Sequence, residues 1–193
     1  MTEPEPVPEP SSFRRLSEVE VFRGWLFTVG HVDLIDPDGQ PFDRFVIHHP
    51  GAVTIVAVDD NRRVTLVRQY RSSVDRMMLE APAGTRDVAG EPAEETARRE
   101  LAEEAGLEAE SMEVLMGTFN TPGISDQYTT IFLATGLSPV PTRPAGVEEG
   151  FMTVETIGLD EIEALVADGT LLDETTVLGL LLARARLDGA RSP

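Results

Sequence analysis

Between Gly84 and Leu107 the chain reads GTRDVAGEPAEETARRELAEEAGL, a stretch dense in carboxylates: Asp87, Glu91, Glu94, Glu95, Glu100, Glu103 and Glu104. Residues 91–105 read as a helix, with Pro92 in its first turn and Gly106 just past its end. On a helix Glu100 stands three and four residues before Glu103 and Glu104, so all three share one face. That face is costly. Glu103 and Glu104 fall in the last turn, where the backbone carbonyls present a negative end, and an exposed anion there is unfavourable by about 0.3–1 kcal/mol. Arg99 can reach Glu103, but Arg before Glu is the poorer order for a pair four apart. A helix built for stability alone carries its acids first and its bases last. Breaking that rule in one place points to a functional site. Clustered carboxylates suit hard cations such as Mg²⁺ or Mn²⁺, which take oxygen ligands. By charge alone, a solvated acidic face accounts for the same residues.

The elements around this helix are mostly strands. Short strands are expected from Val19 to Val46, with a hairpin turn at Asp36–Gly39. Ala52–Val58 and Val64–Tyr70 form a second hairpin about Asp59–Arg62, and Met77–Glu80 is one more short strand ending at APAG. Met112–Phe119 and Tyr128–Gly136 read as strands joined by the loop NTPGISDQ, and Phe151–Ile157 as a further strand. Two helices close the chain, with Asp160 and Asp173 as candidate caps. The apolar run Val177–Leu182 of the last helix reads as core, or as part of a dimer surface. Strands and helices mix without regular alternation, which predicts an α+β fold or mixed-sheet sandwich and not a doubly wound sheet.

Composition narrows the class. Hydrophobic residues make up 41% of 193, enough for a core, and no apolar run is long enough to span a membrane. The acidic, Pro-rich start MTEPEPVPEP reads as a disordered tail over 1–12, unlike a secretory signal. With no cysteine, disulfides and thiolate sites are excluded, and a cytoplasmic location is the default expectation. Sixteen basic residues against 34 acidic give a net charge of −18, so nucleic acid is not an expected partner. An anionic small molecule would be repelled too, unless placed arginines or metal ions supply local positive charge.

The segment from Glu91 resembles the Nudix hydrolases, whose signature is G-x5-E-x7-R-E-U-x-E-E-x-G-U with U a bulky aliphatic residue. Arg99-Glu100-Leu101-Ala102-Glu103-Glu104-Ala105-Gly106-Leu107 matches the second half in full, and Glu91 stands at the required distance before Arg99. One departure is visible: six residues, not five, separate Gly84 from Glu91, an extra loop residue of the kind surface loops tolerate. The resemblance implies a Nudix-like mixed-sheet α/β/α sandwich over 51–193, preceded by an antiparallel strand subdomain over 13–50. It implies that Glu100 and Glu104 are the principal metal ligands, that Glu103 assists, and that the carbonyl of Ala83 is a further ligand. Glu91 and Arg99 are then a structural pair pinning loop to helix. The activity implied is metal-dependent cleavage of a diphosphate.

Two features resemble the ADP-ribose pyrophosphatase branch. Pro122 lies fifteen residues past Leu107, where that branch carries a proline; a Pro-Gly turn between strands gives the same residue. The stretches RQYR and LEAPAG resemble the branch's Q-Y-R and E-x-P-A-G segments. Arg71 is then a phosphate-binding arginine, as against an exposed arginine at a strand end. In the branch the N-terminal strands reach across a homodimer and adenine stacks between subunits, which makes Trp25 and Phe45 stacking candidates; core packing is the competing role for both. A glutamate on a late loop acts as base in the branch, and PAGVEEGF offers Glu148 and Glu149, with a plain polar loop as the alternative. At the place of Gln127 the branch often has an acid. His31, His48 and His49 read as strand residues with local partners and are assigned no chemistry.

Overall fold

In a computed structural model the chain is described over residues 12–142 and 149–189. The tail over 1–11 and Glu148 lie outside these residues. Strands β1 (Arg14–Arg23), β2 (Thr28–Ile35) and β3 (Pro41–His48) form a three-stranded antiparallel sheet in chain order. The β2–β3 turn falls at Asp36–Gly39 as expected: the Asp36 carboxylate accepts the backbone N–H groups of Asp38 (3.0 Å) and Gln40 (2.7 Å). β1 begins earlier than the strand propensity around Val19 suggests and is exposed along its whole length.

The second sheet has seven strands. Its path runs β10 (Thr153–Gly158), β5 (Arg63–Arg71), β4 (Ala52–Val58), β9 (Tyr128–Pro139), β8 (Leu107–Phe119), with β6 (Arg76–Glu80) paired to β5 and β7 (Ala83–Thr85) paired to β4. β4 and β9 are parallel and the other pairs antiparallel, so the sheet is mixed. β4 is central and covered on both faces, which is why AVTIVAV carries no polar alternation. Val53, Ile55 and Ala57 pack with Ala97 and Leu101 of helix α1 (Ala93–Ala105). Val56 and Val58 point the other way, into a cluster with Ile162 of α2 (Ile162–Ala167) and Leu180 of α3 (Glu174–Gly189). Leu101 and Leu180 are fully buried, each worth about 1.5–3 kcal/mol of transfer free energy. The expected α/β/α sandwich is thus built around β4. Among the described residues no helix is long and apolar enough to cross a membrane.

Several boundaries move. α1 starts at Ala93 because Pro92 keeps an extended backbone (φ −61, ψ 145) and precedes the first turn. Gly106 closes α1 in the left-handed conformation (φ 64) as expected, and sends the chain straight into β8, five residues before the strand was expected at Met112. Asp173 caps α3, accepting the Thr176 N–H at 2.7 Å. Asp160 does not cap α2; Glu161 holds that position and spends its carboxylate on the Gly158 N–H. Residues Glu149–Phe151 form a short 3-10 turn, so β10 begins at Thr153 and not at Phe151.

Candidate functional site

The acidic face of α1 lies against the backbone of β7. Gly84 makes this possible: a Cβ there would stand 2.0 Å from Cδ of Glu100. One turn on, Glu104 Oε2 accepts the Ala83 N–H at 3.0 Å. The two carboxylates therefore meet adjacent residues of β7, Glu100 at Gly84 and Glu104 at Ala83. Among the described residues Glu103 does not reach β7 through a hydrogen bond of this kind; it accepts from Arg99 Nη1, as Glu100 does, and borders a separate hollow of about 260 Å³ with Ala102, Glu108 and Pro141.

Arg99 organises the near side of the helix. Its Nη1 donates to Glu100 Oε1 (2.8 Å) and Glu103 Oε2 (3.0 Å), and its Nη2 to Glu91 Oε2 (3.4 Å). Burial lowers the Arg99 pKa, but Glu100, Glu91 and Glu103 outweigh it and hold the pKa above the usual arginine value. Thr96 Oγ1 donates to Glu91 at 2.7 Å, and this bond, with Arg99, holds the Glu91 carboxyl below its usual range. Loop, helix start and the carboxylates of Glu100 and Glu103 are thereby tied to one guanidinium.

A cleft of about 530 Å³ opens beside β7, with Ala83 and Gly84 in its wall and Arg71, Glu80, Asn120 and Gln127 around them. Arg71 is braced. Its Nε (3.0 Å) and Nη2 (2.6 Å) donate to Glu80 Oε2, and Glu80, only 4% exposed, also accepts from Gln69 at 3.1 Å. Burial pulls the Arg71 pKa down, yet Glu80, Glu104 and Asp173 together raise it, so the cation is secure. An anion entering the cleft meets a positive fork already fixed in place.

Metal-holding capacity can be judged from the donors. Glu100 and Glu104 are hard oxygen donors brought to one strip of backbone, the chemistry Mg²⁺ and Mn²⁺ select. Among the described residues no three acidic or histidine side chains stand together as a ready metal cage. The carboxylates are instead held by Arg99 and by the Ala83 N–H. The residues fit a divalent ion by type and by placement on β7.

The other expected residues divide. Trp25, on the β1–β2 turn, is 93% exposed, so core packing is ruled out for it. It lines a second hollow of about 500 Å³ with Arg86 and His48, which shares Leu26 and His49 with the main cleft. Phe45 is 60% exposed and also outside the core; its ring lies 5.0 Å from that of His31, in neither hollow. Pro122 is exposed and lines neither, while its loop neighbours Asn120 and Gln127 line the cleft. Glu149 falls in the 3-10 turn.

Sequence reasoning missed Glu80, Asn120, Asp173 and His49. Glu80 carried a signal: a glutamate closing an otherwise apolar strand needs a cation, and Arg71 lies on the paired strand. His49 had none, since its place in the cleft comes from the turn at Gly51, whose N–H donates to its Nδ1 at 3.1 Å. Burial lowers the His49 pKa, keeping the ring neutral.

Comparison with known proteins follows the same lines. Residues 48–173 match the family described as NUDIX domain. Over 181 residues the chain is 38% identical to the ADP-ribose pyrophosphatase of Mycobacterium tuberculosis, spanning 94% of this chain and 87% of that protein. It is 30% identical over 167 residues to the ADP-ribose pyrophosphatase of Bacillus subtilis, spanning 86% and 90% respectively. Among solved structures, an ADP compounds hydrolase superposes with a TM-score of 0.82 at 26% identity, over 96% of this chain and 99% of that one.

Proposed function

The chain belongs to the Nudix family, and we propose that it hydrolyses the diphosphate of a nucleoside diphosphate conjugate, with ADP-ribose cleaved to AMP and ribose 5-phosphate as the reaction its site suits best. The observation that carries this reading is the pairing of Glu100 and Glu104 with Ala83–Gly84 in the wall of a cleft where Arg71 stands braced. At about 530 Å³ the cleft is of small-molecule size. Two relatives that carry ADP-ribose pyrophosphatase activity in their names support the substrate.

Glu100, Glu104 and the carbonyl of Ala83 would hold Mg²⁺, with Mn²⁺ as a substitute and Glu103 assisting. When bound, such an ion supplies charge neutralisation at the diphosphate and a lowered pKa for a nearby water. The chain's own side chains do the rest. Arg71 grips and orients the diphosphate. Trp25 stacks the base, from the hollow beside the cleft. Glu148 or Glu149, shortly before β10 in the sequence, takes the proton from the water that attacks phosphorus as the bridging P–O bond breaks. The division into an N-terminal strand subdomain (13–50) and a catalytic domain (51–193) belongs to this reading, as does a cytoplasmic site of action.

A homodimer completes it. Leu16, Val19, Val21 and Phe22 of β1 are each more than half exposed, a strip that a second copy would cover. Phe45 and Pro122 enter substrate binding only through that second copy. Sedimentation at micromolar concentration should give twice the mass of 21.0 kDa; a monomer would remove Phe45 and Pro122 from the site.

The activity test is turnover of ADP-ribose, ADP-glucose, GDP-mannose, NADH and diadenosine polyphosphates, with Mg²⁺ and with EDTA. EDTA-sensitive cleavage of ADP-ribose ahead of the others is expected. Preference for another member would replace the substrate, and tight ADP-ribose binding without turnover of any would replace the enzyme by a sensor. In the same assay Trp25→Ala should raise KM, and whichever of Glu148→Gln and Glu149→Gln lowers kcat identifies the base.

A further inference from the structure

The loop that carries Asn120 and Gln127 into the cleft is fastened to the N-terminal sheet and not only to its own strands. Ile47 at the end of β3 donates its N–H to Ile124 O (2.8 Å) and accepts the Asp126 N–H (3.1 Å). The Asp126 side chain adds two bonds: Oδ1 accepts the His49 N–H at 2.9 Å, and Oδ2 faces His48 Nδ1 at 2.5 Å. The opposite ring nitrogen, His48 Nε2, faces Glu18 Oε1 at 2.5 Å. Glu18 belongs to β1, two strands away, with β2 between. Its side chain crosses β2 over Gly30, where a Cβ would stand 2.0 Å from Glu18 Oε1. An alanine at position 30 would close that path.

A neutral imidazole has one N–H and one lone pair. Here both ring nitrogens face carboxylate oxygens, so the arrangement is satisfied only by the imidazolium, donating at each end. We propose that Glu18, His48 and Asp126 form a clamp that positions the cleft loop, and that Asp126 is a positioning residue for substrate held by Asn120 and Gln127. The inference about substrate rests on the proposed function; the clamp itself does not.

The charge balance agrees. The hydrogen bonds to Asp126 and Glu18 raise the His48 pKa above 6.5 against a smaller effect of burial. The other charged groups nearby are few. Arg15 lies 3.4 Å from Glu18 on β1, His49 follows His48 just past the end of β3, and Arg23, Arg86 and Asp87 stand around the hollow that His48 lines. Because the folded pKa is raised, the clamp is fully formed below pH 6.5 and loosens as pH rises through the higher folded value.

The experiment combines NMR of the free full-length protein with kinetics. His48 should titrate above 6.5 in the wild type and fall towards that value in Asp126→Asn and in Glu18→Gln. At about pH 6 the amides of Ile47, His49 and Asp126 should be protected in the wild type and lose protection in Asp126→Asn. With whichever substrate the enzyme turns over, Asp126→Asn should raise KM about three-fold with kcat little changed, the modest size following from the clamp's partial exposure. Titration of His48 at its ordinary value, or unchanged protection in Asp126→Asn, would overturn the clamp. Lost protection with unchanged KM would overturn the positioning role. Should Asp126→Asn fail to fold, Glu18→Gln on the exposed strand carries the same readouts. Absence of hydrolysis would count against the proposed function alone, because titration and protection are read without substrate.

Discussion

Replacing Glu104 by glutamine is expected to lower kcat by at least about 100-fold while leaving the protein about as stable as before. One side chain has two separable roles here. Glutamine keeps the shape and keeps a carbonyl oxygen that can accept the Ala83 N–H, now 3.0 Å from Glu104 Oε2, so the contact between α1 and β7 survives. The negative charge is what disappears. At the last turn of α1 that charge opposes the helix dipole, and no basic residue stands in the turn to offset it. Removing it relieves about 0.3–1 kcal/mol there but also gives up the attraction to Arg71, so the two offset and Tm should move by no more than roughly 4 °C for a chain of this size. Losing an anionic oxygen donor, by contrast, weakens any divalent ion held there. A large loss of activity with little change in stability is what a purely structural glutamate cannot produce. Thermal melts beside kcat at saturating Mg²⁺ decide it, and turnover within a few-fold of the wild type would remove Glu104 from the metal site.

How much of this was legible in the sequence depended on whether the signal was local. The α1 segment was readable because helix spacing is short-range: three glutamates three and four apart must share a face, and Gly106 after the last turn marks its end. The hairpin at Asp36–Gly39 and the Asp173 cap were readable for the same reason, each being a side chain serving backbone two to four residues away. The sharing of one guanidinium was not readable. Periodicity puts Glu103 on the face of Glu100 and Glu104, but it does not show that Glu100 and Glu103 accept from the same Arg99 nitrogen, or that Glu103 borders a second hollow. Long-range placement was hidden altogether. Nothing in the types of Trp25 or Phe45 says that an antiparallel sheet leaves their rings exposed, since that depends on what covers β1 and β3. The Glu18 to His48 crossing joins residues 30 apart through a gap at Gly30, and only the strand order reveals it.

Arg71→Ala should raise KM about 10- to 100-fold and also destabilise the protein, and a second substitution should separate the two effects. Arg71 holds Glu80 through Nε and Nη2, and Glu80 is buried, with Gln69 as its further partner among the described residues. Without the arginine a carboxylate remains in a poorly solvated place, and breaking a fully buried pair in this way costs about 3–5 kcal/mol. Arg71 itself is 42% exposed on its side chain, so water can partly replace it, and about 1–3 kcal/mol is the reasonable expectation. Adding Glu80→Gln to Arg71→Ala removes the stranded charge while keeping the amide oxygen for Gln69. Most of the stability should then return, measured by urea denaturation. KM should not return, because the cation facing the diphosphate is still missing. Recovery of both would mean that Arg71 acts only by holding β6 against β5, and the cleft would need another group to bind the anion. Recovery of neither would mean that Glu80 serves the site through some partner other than Arg71.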